Sequence, residues 1–184
     1  MEITKFQAAE FQLITAIDLY FKDKDPVSVH TLVRSAHEIF NCLCEHSGLE
    51  RSVVEQSAAE FVKPELKKDF FKKINEARNF FKHAENDPEA TLSWNPYLST
   101  FFIWDATCLY RRLCPGEMPC EILIFSAFFR VQHSELWKDK SPLDCEIPGA
   151  KEELKNISKR DAYDILLSQC KHGGKALPNL TFLL

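Results

Sequence analysis

Apolar residues recur along most of this chain at three- and four-residue spacing, and no stretch reads as a strand. Thr4 and Gln7 form a capping-box start. Phe6, Ala9, Leu13, Ile17, Tyr20 and Phe21 then share one face of a first helix that ends near Lys22. Asp25-Pro26 opens a second, since Asp is a good N-cap and Pro costs no hydrogen bond in the first turn. The short polar turn between them predicts an antiparallel hairpin. Val29, Leu32, Val33, Ala36, Ile39, Phe40 and Leu43 form one broad apolar face of this second helix. Opposite them His30, Arg34, His37 and Asn41 make a narrow polar stripe. Such a stripe most often faces solvent, and otherwise it walls a cleft.

Ser47-Gly48 stops the second helix, and Val53, Val54, Ala58, Phe61 and Val62 predict a shorter one. Pro64 begins a Lys- and Phe-rich helix over residues 64–84, with Glu65 in its first turn where the macrodipole favours a carboxylate. Asn86-Asp87-Pro88 marks a loop, and Asn95-Pro96 repeats the cap-plus-proline start. Two strongly apolar helices follow, one ending at Pro115-Gly116 and one over residues 118–131. Beyond about residue 133 the pattern weakens. A short helix over residues 150–156 and a Ser158-capped helix over 161–172 are predicted, the latter closed by Gly173-Gly174. The expected fold is all-α: an antiparallel up-and-down bundle over residues 1–132, with a smaller helical extension over 133–184 packed on the same domain.

Charge changes the picture in one place. The chain carries a formal −4, which counts against indiscriminate coating of nucleic acid. Residues 63–83 nevertheless hold seven Lys or Arg against three acids, a net +4 that leaves −8 for the rest. On a helical projection Leu66, Phe70, Ile74, Ala77, Phe80 and Phe81 gather on the side expected to face the core. Lys67, Lys68, Lys72, Asn75, Arg78, Asn79, Lys82 and His83 occupy the other half. A solvated Lys face is the common outcome of such a pattern. A site for phosphates is the functional alternative.

The residue types at the end of this helix can do chemistry. An imidazole such as His83 gives or takes a proton near neutral pH, and a guanidinium such as Arg78 holds phosphate oxygens bidentately. Asn79, four residues before His83, can orient the imidazole or donate to a phosphate. Arg78 projects about 140° away from His83 around a helix, so a second surface is needed to complete a site. Arg78-Asn79 followed by His83 resembles the R-x(4–6)-H motif of the HEPN (higher eukaryotes and prokaryotes nucleotide-binding) domains. That resemblance implies a helical bundle, a homodimer in which two motifs meet, and metal-independent endoribonuclease activity, often in toxin–antitoxin or anti-phage settings. By position it makes Arg78, Asn79 and His83 catalytic, with no cofactor. Lys68, Lys72 and Lys82 would steer an RNA backbone, with His30, Arg34 and His37 as a second substrate-binding wall. Non-catalytic members imply the alternative, a module that binds a nucleotide or an antitoxin-type protein. Asp25-Pro26-Val27-Ser28-Val29-His30 with Phe81-Lys82-His83-Ala84 is also similar to a group of small uncharacterised bacterial proteins.

Two His about two turns apart on the second helix lie too far apart to chelate one ion, which argues against a metal there. The seven cysteines show no C-x-x-C pair and no finger-like spacing to His, so neither a zinc ribbon nor a full disulfide framework is expected. Cysteines set in apolar helical pattern suit a reducing, cytoplasmic setting. The N-terminal residues show no basic-then-apolar signal, and no apolar run reaches the ~18 residues of a membrane span. The sequons at Asn156 and Asn179 then carry no meaning. Lys171-His-Gly-Gly-Lys175 lacks the spacing of a phosphate-binding loop.

Overall fold

Local capping sets where the helices begin. Thr4 Oγ1 accepts the Gln7 N–H while Gln7 Oε1 accepts the Thr4 N–H, which starts α1 (Lys5–Phe21). The Asp25 carboxylate accepts the N–H groups of Val27 and Ser28 and starts α2 (Pro26–His46). Ser52 caps α3 (Val53–Phe61), and a 3₁₀ turn at Pro64–Leu66 leads into α4 (Lys67–Phe80). After a long connector come α5 (Leu98–Leu113), α6 (Cys120–Gln132) and α7 (Lys159–Lys171). This computed structural model describes residues 1–85, 87–116, 118–133, 136 and 157–171, and among them there is no strand. The short helix expected over 150–156 and the apolar tail lie outside the described residues. No described helix is long and apolar enough to cross a membrane.

α2 ends where the sequence places the stop. Gly48 has φ +68°, the left-handed conformation of a helix terminus, and no atom lies within 4 Å of where a Cβ would stand. The cost of a side chain there is therefore backbone strain alone. Gly48→Ala is expected to lower unfolding stability by about 1 kcal/mol, readable in a denaturant titration.

Four helices supply most of one core. Leu13, Ile17 and Phe21 of α1, Val33 and Phe40 of α2, Ile103 and Leu109 of α5, and Phe125 and Phe129 of α6 are all buried in it. Phe6 near the start of α1 meets Phe40 late in α2, with ring centroids 5.6 Å apart, so the first hairpin is antiparallel. α2 and α5 behave differently. His30 meets Ser99, His37 meets Asp105, and Cys44 meets the Leu109 carbonyl. Residue numbers rise together along that seam, so the two neighbours run parallel. An up-and-down chain order would not give adjacent parallel helices. A crossover carrying α3 and α4 makes the connection.

That crossover explains a departure from expectation in α4. The core-facing row Leu66, Phe70, Ile74, Ala77, Phe80 and Phe81 is only partly covered. Ala77 is the one buried residue, Leu66 is exposed, and the others are half-buried. α4 lies across the outside of the four-helix core rather than inside it. The predicted helix is also shorter at both ends: residues 64–66 are 3₁₀, and Phe81 and Lys82 form a turn.

α7 packs on α1 and α6. Tyr163 is buried with its ring stacked on Phe21, centroids 4.5 Å apart, and its hydroxyl donates to Asp18 Oδ1 at 3.4 Å. Cys120 at the start of α6 is disulfide-bonded to Cys170, their Cα atoms 6.0 Å apart. The sequence pattern suggested no such pair, since 50 residues separate the two. Cys42, Cys44, Cys108 and Cys114 are free thiols.

Candidate functional site

The polar stripe of α2 does not face solvent. His30 is 1% exposed, and Arg34, His37 and Asn41 are each 5% exposed. The apolar face of α2 is taken up by α1, so the crossover and α5 close over the polar one. Each stripe residue then meets a polar partner, as burial demands. His30 Nδ1 lies 3.0 Å from Ser99 Oγ. His37 Nε2 lies 2.9 Å from Asp105 Oδ2, while Asp105 Oδ1 accepts the Val53 N–H at 3.0 Å. Arg34 donates from Nη2 to Asn75 Oδ1 at 2.6 Å and stacks its guanidinium 3.9 Å above the Phe102 ring. Asn41 donates to Glu55 Oε1 at 2.8 Å and accepts the Ser52 N–H at 2.8 Å.

One side of α2 therefore binds three elements through hydrogen bonds: α3 through Asn41, α4 through Arg34, and α5 through His30 and His37. This corrects the expectation of a solvated stripe at His30, Arg34 and His37. They form a buried structural network. Its partners Ser99, Asn75, Glu55 and Asp105 were not identified from sequence. Only Asp105 left a signal, as the lone carboxylate in the apolar run 101–110.

Burial also sets charge states in this network. It pushes the His30 imidazole down to about 4, with the nearby Arg34 charge adding to the effect. Arg34 itself is lowered to about 10, first by burial and then by the Arg78 guanidinium. A neutral His30 belongs to the folded state, whereas an unfolded chain takes up its proton near pH 6.5. As pH falls from about 6.5 toward 4 the unfolded state binds the extra proton, so stability declines across that window. Urea unfolding at pH 7 and pH 5 checks this. The wild type should lose more stability on acidification than His30→Gln does.

Outside this network lies the Arg78–His83 stretch. Arg78 sits on α4 with its side chain 23% exposed, and Nη1 pairs with Glu38 Oε2 at 2.8 Å. Its Nε and Nη2 lie 3.4 and 3.3 Å from Asn79 Oδ1. Glu38 thus holds the guanidinium in place from α2. Asn79 is exposed. His83 lies beyond the last residue of α4, exposed, with its N–H donating to the Asn79 carbonyl at 3.0 Å. Its ring makes no hydrogen bond or ion pair among the described residues. Lys68, Lys72 and Lys82 are exposed, and their ammonium groups are likewise unpaired among the described residues.

The structure therefore divides the predicted site residues into two layers. Arg78, Asn79, His83 and the three lysines stand on the outer surface of the crossover. His30, Arg34 and His37 lie beneath it. The Arg78 charge is near enough to act on buried Arg34, so the two layers are electrostatically linked. A groove of about 460 Å³ opens at the start of α4, lined by Leu49, Arg51, Glu55, Lys67 and Phe71, at the opposite end from His83. No group of three or more His, Cys, Asp or Glu is placed to hold a metal ion among the described residues. No family model, no curated protein and no solved structure matches this chain.

Proposed function

We propose that the protein is a HEPN-like, metal-independent endoribonuclease acting as a homodimer, with Arg78, Asn79 and His83 as its reacting residues. The observation that carries this reading is the state of the motif itself. Arg78 is positioned by Glu38 and Asn79, and an exposed imidazole follows just past the end of α4. Exposed Lys68, Lys72 and Lys82 supply the local positive field in a net acidic chain.

In this scheme His83 takes the proton from a ribose 2′-hydroxyl, and the oxygen attacks the adjacent phosphorus. Arg78 stabilises the charge on the phosphate oxygens. The 5′-oxygen leaves with a proton from an acid, and His83 of a second copy is suited to that role. The products are a 2′,3′-cyclic phosphate and a 5′-hydroxyl. Incubating the protein with mixed RNA in EDTA tests this. Cyclic phosphate ends that vanish in His83→Ala and Arg78→Ala support it, whereas an inert wild-type protein refutes it.

One observation favours a second reading. The Arg78 guanidinium is already engaged by Glu38 and Asn79, as it would be in a binding or structural role. A HEPN-like module that binds a nucleotide or an antitoxin-type protein without turnover is consistent with that. Tight, saturable nucleotide binding with no cleavage would distinguish it. Both readings take the bundle to be HEPN-like. The cellular setting, toxin–antitoxin or anti-phage and cytoplasmic, follows only from the resemblance.

A further inference from the structure

Four buried side-chain polar atoms among the described residues lack a hydrogen-bond partner, and three of them cluster: His30 Nε2, Arg34 Nε and Trp94 Nε1. The rings of His30 and Trp94 have centroids 5.0 Å apart. Phe81 lies 5.8 Å from His30 and 5.0 Å from Trp94, and Phe102 lies 5.9 Å from His30 and under the Arg34 guanidinium. The residues that carry the three orphaned atoms thus gather around the same aromatic rings, between α2, the start of α5 and the connector after α4. Native proteins rarely bury such groups unsatisfied, so a concentration of them points to a missing acceptor.

The proton on His30 can be placed by counting donors. Ser99 is 2% exposed, and its hydroxyl has His30 Nδ1 as its hydrogen-bond partner. A buried hydroxyl proton needs an acceptor, so Ser99 donates to Nδ1, which leaves the hydrogen on Nε2. All three orphans are then N–H donors. A water would satisfy two of them and would bring two protons of its own to a cluster whose orphaned atoms are all donors. An anion accepts from all three and adds a direct partner to the Arg34 charge, on which Glu38, Asp105 and Glu55 act without a hydrogen bond.

We propose that His30, Arg34 and Trp94 form a buried binding site for one small inorganic anion of chloride or nitrate size. The bound anion ties α2 to the connector that carries Trp94, and so fixes the end of α4 where Phe81 and His83 sit. This site is separate from the RNA reading, because neither its ligand nor its readout involves cleavage.

The experiment uses the full chain, with chloride replacing gluconate at constant ionic strength. The Trp94 indole N–H resonance, identified by its loss in Trp94→Phe, shifts along a saturating curve as chloride rises. The unfolding temperature increases along the same curve. Trp94→Phe keeps the aromatic wall and removes one donor, so the chloride concentration needed for half the thermal effect rises about tenfold. Two results would overturn the proposal. One is an indole resonance and an unfolding temperature that stay the same from zero to about 0.5 M chloride, which leaves the cluster to water or to nothing. The other is a chloride effect equal in wild type and Trp94→Phe, which places the binding elsewhere.

Discussion

Asp105→Ala is expected to lower unfolding stability by about 3–5 kcal/mol, the largest stability effect of any polar substitution considered for this protein. Asp105 is 1% exposed, and both carboxylate oxygens are used: one meets His37 Nε2 and the other accepts the Val53 N–H. Truncation leaves a buried imidazole nitrogen and the first backbone N–H of α3 without partners. His37 is 5% exposed, so solvent compensates little for its lost partner. Most domains hold only about 5–15 kcal/mol in total, so the variant should lie near the edge of folding. Asp105→Asn separates the parts. Its amide oxygen can still accept from Val53 while its NH₂ changes the partner offered to His37. A loss of about half the alanine value is expected. Urea midpoints for the three proteins check this. An alanine variant within about 0.5 kcal/mol of wild type, the range of ordinary surface changes, would show that the network does not hold α2, α3 and α5 together.

His83→Ala is expected to reduce RNA cleavage by about 10²–10⁴-fold, the loss that follows removal of a general acid or base. The residue is exposed, lies past the end of α4 and supports no other side chain among the described residues. Unfolding stability should therefore stay within about 0.5 kcal/mol of wild type. That combination is what distinguishes chemistry from structure. Arg78→Ala gives a less clean answer, because it also removes the ion pair between α4 and α2. A mere twofold fall in cleavage for His83→Ala would remove the residue from the mechanism. Mixing His83→Ala with Arg78→Ala subunits probes the dimer. If each active centre draws residues from two copies, mixing restores part of the activity that neither variant has alone.

Helix positions were legible in the sequence because the signals that set them are local. Thr4 with Gln7, Asp25 with Pro26 and Gly48 act within a few residues of themselves, and all three do in the fold what their types imply. Asn95 likewise accepts the Tyr97 N–H at 3.0 Å just ahead of α5. The core rows of α1, α2, α5 and α6 were legible for a related reason, since an apolar face must be buried somewhere. Where each polar face went was not legible. The stripe at His30, Arg34, His37 and Asn41 looks solvated when α2 is viewed alone. Its burial depends on Ser99 and Asp105, which lie 69 and 68 positions away from the residues they meet. The same holds for Glu38, whose partner Arg78 is 40 residues distant. The Cys120–Cys170 bond is a further case of a long-range pairing.

The Arg78–His83 stretch shows the division most clearly. The sequence alone established a basic, helical segment that ends in an imidazole, and it established that Arg78 and His83 diverge around the helix. Periodicity and charge composition suffice for both. Tertiary structure decided the rest. The crossover lays α4 on the outside of a four-helix core, so its charged face is presented rather than buried. A carboxylate from α2 then sets the direction of the Arg78 guanidinium, and the helix stops short of His83. Side-chain types and spacing determine what a segment can do. The partners that fix its charge, orientation and exposure come from elements tens of residues away, and only the packing of α2, α4 and α5 brings them together.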